Sequence, residues 1–233
     1  MKLSIIIPVY NEEKTVAEVL RRIGEVELQN SLQKEIIIVS DGSTDHTNKI
    51  LSRYKGIKFY KHSKNLGKGA ALQTGFRNST GDFLVIQDAD LEYHPRDYAR
   101  LLKPLIRNEA DVVYGSRLMN YPLRLWGRRK TVLPLHLLAN KFLTLFTNLF
   151  YHSNLTDMET GYKVFRKSVI DQLKIKSNKF DFEAEVTAKI LKRKIPIVEV
   201  PIIVRPRTYK EGKKIGWKDG FSAIWTLIKY RFI

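Results

Sequence analysis

Short apolar runs alternate with amphipathic segments through the first half of the chain, and this alternation constrains the fold more than any other feature. Thr15 followed by Glu18 has the spacing of a capping box and predicts the start of the first helix. Strands that alternate with helices in this way form a parallel sheet covered by helices, so the sequence predicts an α/β fold. The strand-like runs are 3–9, 35–40, 57–60, 83–87 and 111–114, and the helical segments are about 15–23, 69–77 and 97–108.

The charge of the chain limits its partners. The 233 residues include 41 Lys and Arg against 24 Asp and Glu, which gives a net charge of +17 at pH 7. Such a field attracts nucleic acid, anionic membranes or phosphorylated small molecules. No recognisable nucleic-acid-binding motif is present, and we expect no nucleic-acid partner.

The chain has no cysteine, which excludes disulfides, thiolate zinc sites and a cysteine nucleophile and suits a reducing cytoplasm.

Three acidic residues, Asp88, Asp90 and Glu92, follow the strand predicted at 83–87. An open parallel sheet binds its ligands at the carboxyl ends of its strands. If the segment continues in an extended conformation, alternation points all three carboxylates the same way. Oxygen ligands of this kind suit Mg²⁺ or Mn²⁺, and a solvated acidic turn is the alternative interpretation.

Two other turns carry polar groups at predicted element ends. Asp41 follows the second strand, where a carboxylate can accept hydrogen bonds from a nucleobase and Gly42 allows close approach of the backbone to a ligand. An Asx-type turn with a helix cap is the alternative for this position. Lys68 opens a later helix, whose free N–H groups favour an anion, although the spacing is not that of a Walker A loop.

Together, six ordered motifs resemble those of inverting family 2 glycosyltransferases with the GT-A fold, especially the branch of dolichyl-phosphate mannose and glucose synthases. One departure is Ser40, where the family more often has a further aspartate. The resemblance spans nearly the whole chain and implies a single catalytic domain, with a nucleotide-sugar-binding half at 1–117 and an acceptor-side half at 118–233. The motifs are IIPVYNEE at 6–13, VSDGSTD at 39–45, NLGKGAA at 65–71, QDADLE at 87–92, GSR at 115–117 and DMETGYKVF at 157–165.

The resemblance also implies roles for individual residues. The metal, Mg²⁺ or Mn²⁺, would be held on the donor diphosphate by Asp88, Asp90 and Glu92. The catalytic groups would be Asp90, Arg117 facing the acceptor phosphate, and Arg207 in a basic loop that closes over the diphosphate. Residues implied to bind the substrate are Pro8, Tyr10, Glu12, Asp41, Lys68, Asp88, Ala89, Lys213 and Lys214.

The implied reaction moves a hexose from a nucleotide-diphosphate sugar, of the UDP-glucose or GDP-mannose type, to a polyprenyl or dolichyl phosphate. A phosphate acceptor needs no general base, because its second pKa is about 6 and it arrives largely ionised. The alternative is a soluble GT-A transferase acting on a carbohydrate hydroxyl in envelope or surface polysaccharide synthesis. A hydroxyl acceptor requires a base, for which Asp157 and Glu159 are candidates.

A lipid acceptor implies a membrane, yet no spanning helix is expected. The apolar segment at 132–151 contains Lys141, and a central charge costs a spanning helix about 2.5 to 3.5 kcal/mol. We expect peripheral association with the cytoplasmic face, either direct or through a separate anchoring partner. The docking surface is predicted at 121–151, where a basic cluster of Arg128, Arg129 and Lys130 precedes an apolar helix face, whereas the last helix is expected to pack in the core.

Overall fold

A mixed sheet of seven strands lies at the centre of the part of the chain that the computed structural model describes, residues 1–29, 32–119, 134–205 and 217–233. The order across the sheet is β3-β2-β1-β4-β6-β5-β7. The strands are β1 Lys2–Val9, β2 Gln33–Asp41, β3 Ile57–His62, β4 Phe83–Ile86, β5 Val112–Ser116, β6 Lys163–Arg166 and β7 Ile197–Pro201.

Most strand pairs are parallel. Strand β1 pairs with β2 and β4, β2 pairs with β3, and β5 pairs with β7, all in parallel. Strand β6 runs antiparallel to its neighbours β4 and β5. The predicted α/β fold with a mostly parallel sheet is confirmed, and β6 and β7 add two strands that the sequence reading did not include.

Helices cover both faces of the sheet. Alternation along β1 places Ile5 and Ile7 in one core with α1 and α4, and Ile6 in a second core with α3, α6 and α7. A third apolar cluster joins α5, α7 and α8. The helices are α1 Val16–Glu25, α2 Thr47–Leu51, α3 Lys68–Arg77, α4 Tyr98–Ile106, α5 Pro134–Tyr151, α6 Lys167–Leu173, α7 Phe182–Lys192 and α8 Trp217–Phe232.

Helix α1 starts where the sequence predicts, but the capping box does not form. The hydroxyl of Thr15 donates to the Glu12 carboxylate at 2.7 Å instead of capping the helix. Glu18 is bound by Arg21 and Arg22, each with a nitrogen–oxygen distance of 2.7 Å. The helix therefore starts at the predicted residue while its first turn is held by other contacts.

Helices α5 and α8 leave large apolar side chains exposed. On α5 these recur every three or four residues, so they form a stripe along one face of the helix. The last helix does pack in the core, through Ala223, Thr226, Leu227 and Tyr230, but the expectation is wrong for Phe221, Trp225 and Phe232 of its apolar stripe, which are exposed. The exposed residues are Leu135, Leu138, Phe142, Leu145 and Leu149 on α5 and Phe221, Trp225 and Phe232 on α8.

Within the described ranges, no helix combines the length and apolar character needed to cross a bilayer. The basic cluster at 128–130 and the basic loop with Arg207, Lys213 and Lys214 lie outside the described residues.

Candidate active site

A cleft of about 1010 Å³ runs along the carboxyl ends of β1, β2 and β4 and is closed on one side by α5 and α8. Its polar part holds side chains from the loops that follow the strands, and its apolar wall includes Leu135, Phe142 and Phe221. The sequence-predicted residues that line this cleft are Pro8, Tyr10, Glu12, Asp41, Lys68, Asp88, Ala89, Asp90, Glu92 and Arg117. The structure thus brings every predicted site residue that it describes to one cleft.

Asp41 anchors the loop that leads into α3. Its carboxylate accepts hydrogen bonds from the backbone N–H of Leu66 at 3.0 Å and of Gly67 at 2.7 Å. The Nδ1 atom of His62 lies 2.7 Å from the same carboxylate. His62 was not predicted from the sequence, since only the pairing of Asp41 with His62 across β2 and β3 brings the two together. A contact between Asp41 and a nucleobase stays a prediction.

Gly42 is required where β2 turns towards this loop. Its φ of +69° lies in the left-handed region, and an added Cβ would lie 2.3 Å from the carbonyl carbon of Lys64. The backbone at Gly42 thus lies close to another part of the chain, and the close approach of this backbone to a ligand stays a prediction.

Lys68 stands between two carboxylates. Its ammonium nitrogen lies 2.9 Å from an oxygen of Asp88 and 3.0 Å from an oxygen of Glu183. Burial by itself lowers the pKa of Lys68, but the two carboxylates outweigh it and the pKa is raised. Lys68 is thus a permanently charged group that fixes Asp88 and Glu183 in the cleft.

The acidic residues after β4 lie in a turn. The strand ends at Ile86, and Leu91 has a φ of +65°, so the extended alternation expected from Asp88 to Glu92 is wrong. An oxygen of Asp90 accepts a hydrogen bond from the backbone N–H of Glu92 at 3.0 Å. Among residues 1–29, 32–119, 134–205 and 217–233, no three acidic or histidine side chains come close enough to hold a metal ion.

Two carboxylates still fit a divalent cation that takes its other ligands from a substrate. Asp88 and Asp90 both line the cleft and offer hard oxygen ligands. Mg²⁺ is commonly bound through one or two carboxylates together with substrate phosphates and water. The donor set therefore fits a metal shared with a diphosphate, and the contribution of Glu92, which also lines the cleft, stays a prediction.

Gln87 holds the start of this turn in place. It is fully buried, and its side-chain oxygen accepts hydrogen bonds from the hydroxyls of Tyr98 at 2.9 Å and Tyr162 at 3.2 Å. Its side-chain nitrogen donates to the backbone oxygen of Asp88 at 3.0 Å. The position of the Asp88 backbone thus depends on a buried network from β4, α4 and the segment before β6.

Arg117 follows β5 and is held by Asp157, which is fully buried. Nε of Arg117 donates to Oδ2 of Asp157 at 2.7 Å, and Nη2 donates to Oδ1 at 2.8 Å. Burial lowers the pKa of the Arg117 guanidinium, but the adjacent carboxylate dominates and raises that pKa. Both Asp157 oxygens thus orient the guanidinium, which together with full burial disfavours this carboxylate as a general base.

Two other carboxylates in the cleft have an oxygen with no hydrogen-bond partner among the described residues: Oε1 of Glu159 and Oε2 of Glu183. Burial, together with the nearby charge of Glu183, raises the pKa of Glu159 to about 7. Neighbouring Lys163 is fully buried, and burial lowers its pKa to about 8. Its ammonium donates to the backbone oxygen of Met158 at 2.9 Å, which holds the loop that carries Glu159.

Glu183 was missed in the sequence analysis. It lies in the first turn of α7, between the fully buried residues Phe182 and Ala184. An acidic residue on an otherwise buried helical stretch is the signal that points to it, because a buried carboxylate needs a partner. The sequence does not say that the partner is Lys68.

The fold and the cleft define an α/β protein that takes its ligand at the carboxyl edge of the sheet. The sequence profile described as Glycosyl transferase family 2 matches residues 4–174. The chain belongs to this family and is a glycosyltransferase of the GT-A fold.

Relatives and solved structures agree with this assignment. The chain is 31% identical to the UDP-N-acetylglucosamine–dolichyl-phosphate N-acetylglucosaminyltransferase of Methanococcus voltae, over 96% of this chain and 94% of that protein. It is 30% identical to the dolichol-phosphate mannosyltransferase of Pyrococcus furiosus, over 93% of this chain and 60% of that protein. Glucosyl-3-phosphoglycerate synthase from Mycobacterium tuberculosis, crystallised with Mn²⁺, UDP and glucosyl-3-phosphoglycerate, has the same fold with a TM-score of 0.74 and 21% identity, over 100% of this chain and 80% of that one.

Proposed function

We propose that this glycosyltransferase moves a hexose from a nucleotide-diphosphate sugar to a polyprenyl or dolichyl phosphate at the cytoplasmic face of a membrane. The observation that carries the proposal is the composition of the cleft. The cleft presents the carboxylates of Asp88 and Asp90 and the guanidinium of Arg117. Helices α5 and α8 contribute mostly apolar side chains, Leu135, Phe142, Leu143, Phe221 and Ile224, with His136, Asn140 and Asp219 beside them. A lipid phosphate has a matching polar head and apolar tail. Two relatives named as dolichyl- or dolichol-phosphate transferases support the same acceptor class.

The order of the strands sets an order of subsites for the donor. Tyr10 and Glu12 follow β1 and Asp41 ends β2, so we place the nucleoside at this end of the cleft. Strand β4 is the next neighbour of β1, and we place the diphosphate beside Asp88 and Asp90. A bound Mg²⁺ or Mn²⁺ would supply positive charge to the diphosphate as it leaves the sugar.

Arg117 is placed to receive the acceptor phosphate. A guanidinium has five N–H donors, and Asp157 accepts from Nε and Nη2. Asp157 therefore orients the guanidinium while other N–H groups are directed elsewhere. A phosphomonoester with a second pKa of about 6 arrives ionised and needs a cation to steer it, without a base to deprotonate it.

The exposed apolar stripes of α5 and α8 are the proposed membrane-docking surface. Phe142 and Phe221 belong to these stripes and also line the cleft, so the surface continues into the site. Lys141 on α5 and Lys229 on α8 are exposed cations on the same two helices. Apolar side chains with flanking cations favour the surface of an anionic leaflet, where each cation contributes about 1 kcal/mol.

A carbohydrate hydroxyl is the alternative acceptor, and Glu159 favours it. A general base works best when its pKa lies near the operating pH, and burial raises the pKa of Glu159 to about 7. Asp157, the other candidate base, accepts two side-chain hydrogen bonds from Arg117. The alternative thus depends on Glu159 alone.

A donor panel tests the proposal. UDP- and GDP-sugars are incubated with a short polyprenyl phosphate and Mn²⁺, and lipid products are identified by mass. The proposal expects at least one donor to yield a polyprenyl phosphate that has gained one sugar. Turnover of donors with no lipid product from any of them contradicts the proposed acceptor.

A further inference from the structure

Glu183 lines the cleft and carries a buried carboxylate. The side chain is 6% exposed and lies in the first turn of α7. Oε1 lies 3.0 Å from the ammonium nitrogen of Lys68, whereas Oε2 has no hydrogen-bond partner within the part of the chain that the structure describes. One oxygen of Glu183 thus contacts Lys68, and the other is left for a hydrogen bond from a bound group.

An unpartnered buried oxygen of this kind favours a ligand that donates hydrogen bonds. A buried charged group without a partner costs more free energy than a neutral one. A hydrogen-bond donor on a ligand therefore binds more tightly when it contacts this oxygen. Glu159 reinforces this preference, because its Oε1 atom also lacks a partner among the described residues and its side chain lines the same cleft. Two carboxylates that line the proposed substrate cleft therefore each have an oxygen with no hydrogen-bond partner among the described residues.

The position of Glu183 identifies the part of the substrate that it meets. Lys68 contacts Asp88 at 2.9 Å and Glu183 at 3.0 Å, so the two carboxylates are separated by a single ammonium group. Asp88 marks the proposed diphosphate position. In a nucleotide sugar the diphosphate joins the nucleoside to the hexose. With the nucleoside placed beside β1 and β2, the group on the other side of the diphosphate is the hexose, whose hydroxyls are hydrogen-bond donors.

We infer that Glu183, together with Glu159, binds hydroxyl groups of the donor hexose and so determines which hexose the enzyme accepts. This inference rests on the proposed function, since it requires a nucleotide-sugar donor. Lys68 has a positioning role in it, because it holds Glu183 beside the diphosphate position.

The test compares binding of a nucleotide with and without its sugar. Calorimetry with Mn²⁺ measures the dissociation constants of UDP, GDP, UDP-glucose and GDP-mannose for the wild-type protein and for Glu183→Gln. With the nucleotide that binds, Glu183→Gln should weaken the nucleotide sugar about tenfold, because a charge-assisted hydrogen bond is lost. Affinity for the bare nucleotide should stay within about threefold. Asp171→Asn, which removes a carboxylate whose side chain is 54% exposed on α6, is the matched control and should change neither.

Each other outcome has a distinct meaning. Equal weakening of nucleotide and nucleotide sugar overturns the inference alone, because Glu183 then acts only through Lys68 on the diphosphate. Failure of every nucleotide to bind the wild-type protein contradicts the proposed function and the inference with it. If Glu183→Gln does not fold, a crystal structure of the wild-type enzyme with its donor decides the matter. A sugar hydroxyl within about 3.2 Å of a Glu183 oxygen supports the inference, and a greater distance overturns it.

Discussion

Arg117 and Asp157 form a bidentate ion pair where Arg117 lines the cleft, with nitrogen–oxygen distances of 2.7 and 2.8 Å. The backbone N–H of Arg117 adds a third hydrogen bond to the same carboxylate at 2.9 Å. Asp157 is fully buried, whereas 17% of the Arg117 side chain is exposed. The carboxylate therefore serves as the anchor, and the guanidinium is the member of the pair that can meet a substrate.

This pairing predicts that the two residues act as one unit. Arg117→Ala should lower kcat/KM for polyprenyl phosphate about 100-fold or more, and Asp157→Asn should cause a similar loss because the guanidinium is no longer oriented. The double variant should be no worse than the poorer single one, as expected for residues in one ion pair. Initial rates measure these effects, with Arg107→Ala, whose side chain is 58% exposed, as the control. Additive losses would show that the two residues act separately.

Glu159 should make stability fall as the pH rises. Its pKa is about 7 in the folded protein, against an ordinary value of 4.5, so the folded state holds the proton more tightly. The resulting stabilisation is fully present below about pH 4.5 and is lost as the pH rises through 7. Within that window the free energy of unfolding falls by at most about 1.4 kcal/mol for each pH unit.

Urea unfolding of wild-type protein and Glu159→Gln from pH 5 to 8 measures this dependence. The glutamine variant does not titrate, so its stability relative to wild type should increase as the pH rises. A difference between the two proteins that stays constant over this range would contradict the raised pKa.

The apolar stripes predict binding to anionic vesicles. Leu145→Ser, Leu149→Ser and Trp225→Ser, combined in one protein, remove exposed side chains that do not line the cleft. Burial of such side chains contributes up to about 1.5 to 3 kcal/mol each, so the variant should bind vesicles more than about tenfold less tightly. Sedimentation with vesicles containing phosphatidylserine measures the binding. Unchanged binding of the variant would place the docking surface elsewhere.

The vesicle-binding experiment has two controls. Tyr54→Ser removes another exposed apolar residue, which follows α2 away from the cleft, and should leave binding unchanged. Higher salt should weaken wild-type binding, since the attraction of surface cations to the leaflet is screened.

Asp90 should be needed for transfer and not for folding. Its carboxylate lines the cleft, and one oxygen accepts a hydrogen bond from the backbone N–H of Glu92 that the side-chain oxygen of an asparagine can also accept. Asp90→Asn should lower transfer at least about 100-fold while circular dichroism stays unchanged. EDTA should stop the wild-type enzyme, and Mn²⁺ should restore it. Full wild-type activity in EDTA would show that no metal takes part.

Local sequence patterns were sufficient for the first five strands, since each is a short apolar run bounded by polar turns. They were not sufficient for β6, whose pairing with β4 and β5 depends on residues distant in sequence. The same limit explains His62 and Glu183, whose partners Asp41 and Lys68 are brought close only by the sheet and by the packing of α7.

The prediction for α8 failed for a different reason. Helical periodicity identifies an apolar face without saying whether that face is covered. The buried side of α8 consists of Ala223, Thr226, Leu227 and Tyr230. Ala184 and Ala188 of α7 belong to the same core as Ala223, so this contact forms without the apolar stripe of α8. Trp225 and Phe232 are left exposed.

A competition among acceptors measures directly which class of molecule receives the sugar. One sugar donor is offered to the enzyme with equal concentrations of a polyprenyl phosphate, the matching unphosphorylated polyprenol and an oligosaccharide, and all products are identified by mass. With a lipid-phosphate acceptor, the sugar should appear on the polyprenyl phosphate and the polyprenol should stay unchanged, because only the phosphate arrives ionised beside Arg117. Transfer to the oligosaccharide with none to the polyprenyl phosphate would contradict the account and favour a hydroxyl acceptor activated by Glu159.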